Sequence, residues 1–256
     1  MKNYLYDGSF EGFLTAIFYA YQDKESPLIT RELNYIPNLL YEPIKVNVEQ
    51  DKSKRVYTSI QTKLSTSILS TVYYLYLSEL KGFENLCLDY LKLCYRYGES
   101  INLAKNNDTI IQVDSFRRKV TLEVHRFNGF VRFKEISPKY FYAQIEPDHN
   151  ILPLLSEHFT KRFSDQRFII HDLKRKTALV YNQEEVYLQQ LTLEESHALA
   201  STNIIDPFQD LFKSYYDSTT IKERKNPKLQ RSFVPKRYWK HLTETVSYTH
   251  LRAHET

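Results

Sequence analysis

SFRRKVTLEVHRFNGFVRFKEISPKYFYAQI (Ser115–Ile145) joins a helical pattern, a stop signal and a hairpin pattern in one run, and the chain can be read outward from it. Phe116, Val120, Val124 and Phe127 recur at steps of four and three, which places them on one helical stripe. Arg117, Arg118, Lys119, His125 and Arg126 occupy the remaining arc. Asp114 or Ser115 is the expected N-cap, and Asn128-Gly129 the expected left-handed stop. Val131–Glu135 then alternates with period two, Ser137-Pro138 turns, and Phe141, Ala143 and Ile145 alternate again. This is the signature of an antiparallel hairpin, with Arg132 and Lys134 on the face opposite Val131 and Phe133.

Beyond it, Pro153 in a first turn and the spacing of Ile151, Leu155 and Phe159 predict a helix over 151–163. Arg167–His171 and Thr177–Tyr181 read as strands joined by the charged turn 172–175, with Val186–Leu188 as a fifth strand. Helices are expected at Thr192–Ala200 and Pro207–Tyr216, followed by a basic segment from Lys222 to Lys240 that includes Arg224 and Lys225. Toward the N-terminus, Asn3–Tyr6 reads as a strand, and Phe10, Phe13, Leu14, Ile17, Phe18 and Tyr21 as one face of a helix capped by Ser9. Pro27 and Pro37 break the pattern before a short strand at Ile44–Val48. A helical block over 53–97 is divided at Lys81-Gly82. Residues 101–112 read as a polar connection.

The 256 residues hold 21 Tyr and 15 Phe but only 5 Gly, and neither a G-x-G-x-x-G nor a P-loop motif occurs. Up to Gln112 the chain has 12 Lys and Arg against 13 Asp and Glu; beyond it, 23 stand against 18. The positive excess therefore lies in the second half, interleaved with aromatic residues, as a polyanion-binding surface would require. Arg117, Arg118, Arg126, Arg132, Lys134, Arg162, Arg175, Lys236, Arg237 and Trp239 are the candidate nucleic-acid contacts. Arginine forks suit phosphates and aromatic rings suit bases. The competing reading is internal pairing, since Lys119, Glu123 and Arg126 have helical ion-pair spacing.

Cys87 and Cys94 share one stripe two turns apart, roughly 10 Å, too far for a disulfide within one helix, and read as core residues of a cytoplasmic protein. His125, His149, His158 and Asp172 are the candidate acid/base groups if folding brings them together; no metal-ligand spacing links them, and neither a metal nor a cofactor is expected. The longest apolar run, Val72–Leu77, is too short for a bilayer, so no membrane association is expected.

YLYDGSFEGFLTAIFYAY, RKVTLEVHRFNGFVRF, YAQIEPDHNILPLLSEHFTKRF, FIIHDLKRKTALVY and PKRYWKHL resemble a bacterial family of DNA-metabolism or DNA-repair proteins linked to a radical-SAM protein and a uracil-DNA-glycosylase-like domain. The resemblance extends from Tyr4 to about Leu242. It carries Asp7, Gly8, Arg118, Glu123, His125, Arg126, Gly129, Arg132 and Phe133, then Pro147, His149, Asn150, His158, Phe159, Arg162, Asp172 and Arg175, and finally Lys236, Arg237, Tyr238 and Trp239. It implies a DNA-binding accessory factor with those two proteins as partners; the alternatives are an enzyme acting on damaged DNA and an adaptor for the radical-SAM partner. The chain lacks the three-cysteine cluster of a radical-SAM enzyme. VSYTHLRAHET, at residues 246–256, resembles a translated sequencing adapter.

The expected fold is α+β: a mainly helical N-terminal lobe (residues 1–112), then an antiparallel sheet with packed helices (113–244), then a non-native tail (245–256).

Overall fold

The structure is a computed structural model that describes residues 1–201, 214, 218–219 and 226–242. The fold is α+β. It divides into two units, Met1–Thr121 and a second beginning at Leu122. The expected helix at Pro207–Tyr216, Arg224, Lys225 and the tail 245–256 lie outside the described residues.

The first unit opens with β1 (Lys2–Tyr6), which runs straight into α1 (Phe10–Gln22). Ser9 caps α1 as its sequence predicts, its side chain accepting from the Gly12 N–H at 2.9 Å. Two further strands, β2 (Leu28–Arg31) and β3 (Glu42–Lys45), flank β1 in the order β2-β1-β3, both parallel to it. Sequence periodicity misses β2, because Pro27 and Pro37 enclose a segment too short to display an alternation. The helical block is three helices, α2 (Gln50–Lys63), α3 (Thr66–Ser78) and α4 (Phe83–Tyr97). Gly82, at φ +83, supplies the left-handed residue that starts α4. Phe13, Tyr6 and Phe83 pack with Tyr76 in an aromatic core, and Cys87 and Cys94 are wholly buried on α4. Burial pushes the Cys94 thiol up to about 11.

α5 (Asp108–Phe130) corrects both expected ends of the central helix. It starts inside the stretch read as a connection because the Asn107 side chain caps it, accepting from the Thr109 and Ile110 N–H groups. Buried Ile110 and Val113 extend the apolar stripe backwards. At the other end Gly129 stays helical rather than left-handed, so it is no stop.

The second unit is a five-stranded mixed sheet, β4 (Lys134–Ser137), β5 (Tyr140–Ile145), β6 (Arg167–Asp172), β7 (Thr177–Tyr181) and β8 (Val186–Gln190), in sequential order. The β4–β5 and β6–β7 pairs are antiparallel as the hairpin signals predict, and β8 adds antiparallel to β7. β5 and β6 run parallel, since α6 (Leu152–Arg162) returns the chain to the starting edge of β5. Phe133, Phe159, Phe163 and Phe168 form an edge-to-face cluster on the α6 side of the sheet. On the other side α7 (Leu193–Ser201) is tied down by two bonds: Ser196 Oγ lies 3.0 Å from His171 Nε2, and Gln144 donates to the Ala200 carbonyl at 3.0 Å. α8 (Pro227–Phe233) precedes a 3-10 turn at Lys236–His241. Among the described residues, no helix is long and apolar enough to cross a membrane.

Candidate nucleic-acid interface

The loop that follows β5, Glu146-Pro-Asp-His-Asn150, is held by polar groups from three distant segments. Glu123 points inward from α5 and is only 4 % exposed. Its two carboxylate oxygens accept the Asp148 and His149 N–H groups, each at 2.8 Å, and the Tyr238 hydroxyl donates to it as well. From the β6–β7 turn, Arg175 donates to the Pro147 and Asp148 carbonyls at 3.2 and 2.9 Å, and Lys174 to the Asp148 carbonyl at 3.0 Å. From the C-terminal turn, Arg237 pairs with the Asp148 carboxylate at 2.7 Å, and Lys240 with Glu146. Burial, reinforced by Glu123, raises the Tyr238 phenol.

This arrangement sorts the sequence candidates by what each side chain touches. Arg175 and Arg237 hold the loop, and Arg175 also reaches Asp172 at 2.9 Å. Asp172 is fully buried and accepts the Lys174 and Arg175 N–H groups, closing the β6–β7 turn. Arg132 turns back on α5 and donates to the Gly129 and Val131 carbonyls instead of standing on the outer hairpin face. Half-buried Arg126 reaches the Ser232 carbonyl, and Trp239 donates to the Val234 carbonyl at 2.8 Å. Lys134 is half-buried. Arg117, Arg118, Arg162 and Lys236 stand exposed, Arg162 with its guanidinium over the Phe163 ring.

The acid/base candidates occupy dissimilar surroundings. His125 is exposed on α5, His149 is buried in the clamped loop, and Asp172 is engaged in its turn. His158 is half-buried on α6, its ring edge-to-face with Phe159. Among the described residues, no three His, Cys, Asp or Glu side chains converge on a metal position.

Periodicity missed one feature of the sheet. Where β5 and β6 begin and β7 ends, a hollow of about 420 Å³ has Ile136, Tyr140, Arg167, Tyr181, Glu184 and Tyr187 among its lining residues. The register pairs Tyr140 with Arg167, whose guanidinium lies over the Tyr140 ring at 4.9 Å and donates to its hydroxyl. Tyr187, on the outermost strand, is 46 % exposed. Rings with an accessible face beside a guanidinium can stack a planar base while holding an adjacent phosphate. Val186–Leu188 reads as a strand in the sequence, but only its pairing with β7 brings Tyr187 beside the hollow.

His171, between Tyr142 Oη at 2.9 Å and Ser196 Oγ, is buried, and burial lowers its pKa. A neutral ring offers one donor and one acceptor, which these two hydroxyls can satisfy. Its folded pKa lies below the unfolded value of about 6.5, so its contribution to stability is complete above that pH and is lost as pH falls through the folded value. His241 is lowered too, by burial outweighing the upward pull of Glu146. Urea midpoints followed by Trp239 fluorescence are expected to fall from pH 7 to pH 5. His171→Gln should flatten that dependence in part; an unchanged slope would place the titration elsewhere.

The chain belongs to a family of unknown function, described as Domain of unknown function (DUF4130), whose model matches residues 81–244. No curated protein matches it.

Proposed function

We propose that this member of the family binds nucleic acid, with single strands as its preferred form, through the sheet of the second unit. The observation that carries the reading is the hollow in which Arg167 lies over Tyr140, with Tyr187 on the neighbouring rim. Successive bases stack on such rings regardless of sequence, and cations beside them track the phosphates. Arg162 and Lys236 of the same unit are exposed cations that suit the second task. The structural duties of Asp172 and of the His149 backbone favour binding over an acid/base reaction at those residues. The resemblance to DNA-repair proteins supports DNA as the polymer, and it points to a radical-SAM protein and a uracil-DNA-glycosylase-like protein as partners.

Fluorescence anisotropy of a labelled single strand across a salt series tests this. Tyr187→Ala combined with Arg167→Ala is expected to weaken binding by about tenfold or more. Arg162→Ala with Lys236→Ala should lower the magnitude of the log–log salt slope by about 0.7 for each phosphate that is no longer neutralised. Binding that ignores salt, or that survives the Tyr187/Arg167 change intact, overturns the proposal.

A further inference from the structure

We propose a second binding site, in the first unit, for a nucleotide: a planar base carrying a phosphate. It is a cavity of about 320 Å³ between α1, α2 and α4, within the size range of small-ligand sites. Its floor is apolar and closed, formed by Ile17, Ile60 and Leu91, each at most 2 % exposed. Its walls are aromatic: Phe18 and Tyr21 from α1 and Tyr95 from α4, with the Tyr21 and Tyr95 rings in edge contact, centroids 5.5 Å apart and planes at 66°. A flat ring can lie against these walls with edge-to-face or stacked contacts.

The rim supplies the rest of the recognition. Arg55 and Lys63, both on α2 and both exposed, lie at the mouth, and no carboxylate lines the cavity. Neither cation forms an ion pair among the described residues. Arg55 stands 5.7 Å over the Phe18 ring, so one guanidinium borders both the aromatic wall and the opening. Ser59 Oγ and Tyr95 Oη, 2.8 Å apart, add a hydroxyl pair inside the cavity that can donate to or accept from a base edge. A neutral hydrocarbon would leave the two cations unused, and a bare anion would leave the aromatic walls uncovered. A nucleotide uses both, either free or as one residue of a single strand.

The site does not depend on the sheet hollow, and the experiment separates the two. The full chain carrying Arg167→Ala and Tyr187→Ala, which disable the hollow, is titrated calorimetrically with thymidine and adenosine 5′-monophosphates, thymidine, inorganic phosphate and a short oligothymidylate. Saturable binding is expected for a mononucleotide, assigning a free ligand, or for the oligonucleotide alone, assigning a strand residue. Thymidine and phosphate should each bind at least about tenfold more weakly than the bound form. Arg55→Ala with Lys63→Ala, at exposed positions, should weaken it by about tenfold, and Tyr21→Ser by about five- to tenfold, with circular dichroism unchanged. The assignment fails if no nucleotide binds, if thymidine or phosphate binds equally well, or if these variants bind like the parent.

Discussion

Replacing Glu123 with alanine is expected to destabilise the second unit by roughly 3–5 kcal/mol, because two backbone N–H groups in the 146–150 loop lose their acceptor at once. An unsatisfied buried donor costs about 1–3 kcal/mol, and the Tyr238 hydroxyl loses its carboxylate partner as well. Glu123→Gln keeps the shape and one acceptor oxygen, so it should fall between the parent and alanine. Trp239 is the chain's single tryptophan and follows Tyr238 directly, which makes its fluorescence a local reporter of the clamp. Denaturant titrations read at that signal should show the midpoint falling in the order parent, glutamine, alanine. An alanine variant within about 1 kcal/mol of the parent would show that the loop is held without this carboxylate.

In the first unit the largest effect is expected at Phe13. It is fully buried, with ring centroids 5.6 Å from Tyr6, 5.4 Å from Phe83 and 6.0 Å from Tyr76. Phe13→Ala removes the transfer free energy of the ring and leaves a cavity that these rigid neighbours cannot close, at a cost of about 3–5 kcal/mol. Thermal unfolding by far-ultraviolet circular dichroism should show a transition lowered by about 10–20 °C. Phe13→Leu, which refills much of the space, should recover more than half of the loss. Equal losses in the two variants would mean that the ring contacts, rather than the volume, carry the stability.

Much of this fold was legible because local rules and tertiary packing agree. The aromatic face of α1, the Ser9 cap, Pro153 in the first turn of α6 and the charged turn at 172–175 all stand where pattern and turn chemistry place them. What escaped depends on partners far along the chain. The parallel pairing of β5 with β6 leaves no local mark, since each strand alternates as it would in a hairpin. Glu123 read as a helical ion-pair partner of Lys119 and Arg126, but its acceptors are filled by residues 148, 149 and 238. Counting cations likewise showed where positive charge concentrates, but not which arginines are engaged within the fold. Arg175 and Arg237 meet carboxylates and carbonyls that only the folded loop presents.

The bond from Tyr238 to Glu123 joins residues 115 apart in sequence, whereas the β6–β7 hairpin joins near neighbours. Contacts of such different reach form at different times, local ones first. During synthesis the strands, α6, Glu123 and Arg175 emerge before residue 238, so the bonds from Tyr238, Arg237 and Lys240 are the last part of the clamp on the 146–150 loop to form. A contact that closes after the folding barrier does little to speed folding but slows escape from the native state. The C-terminal turn is therefore expected to act as a latch on lifetime: Tyr238→Phe should speed unfolding more than it slows folding.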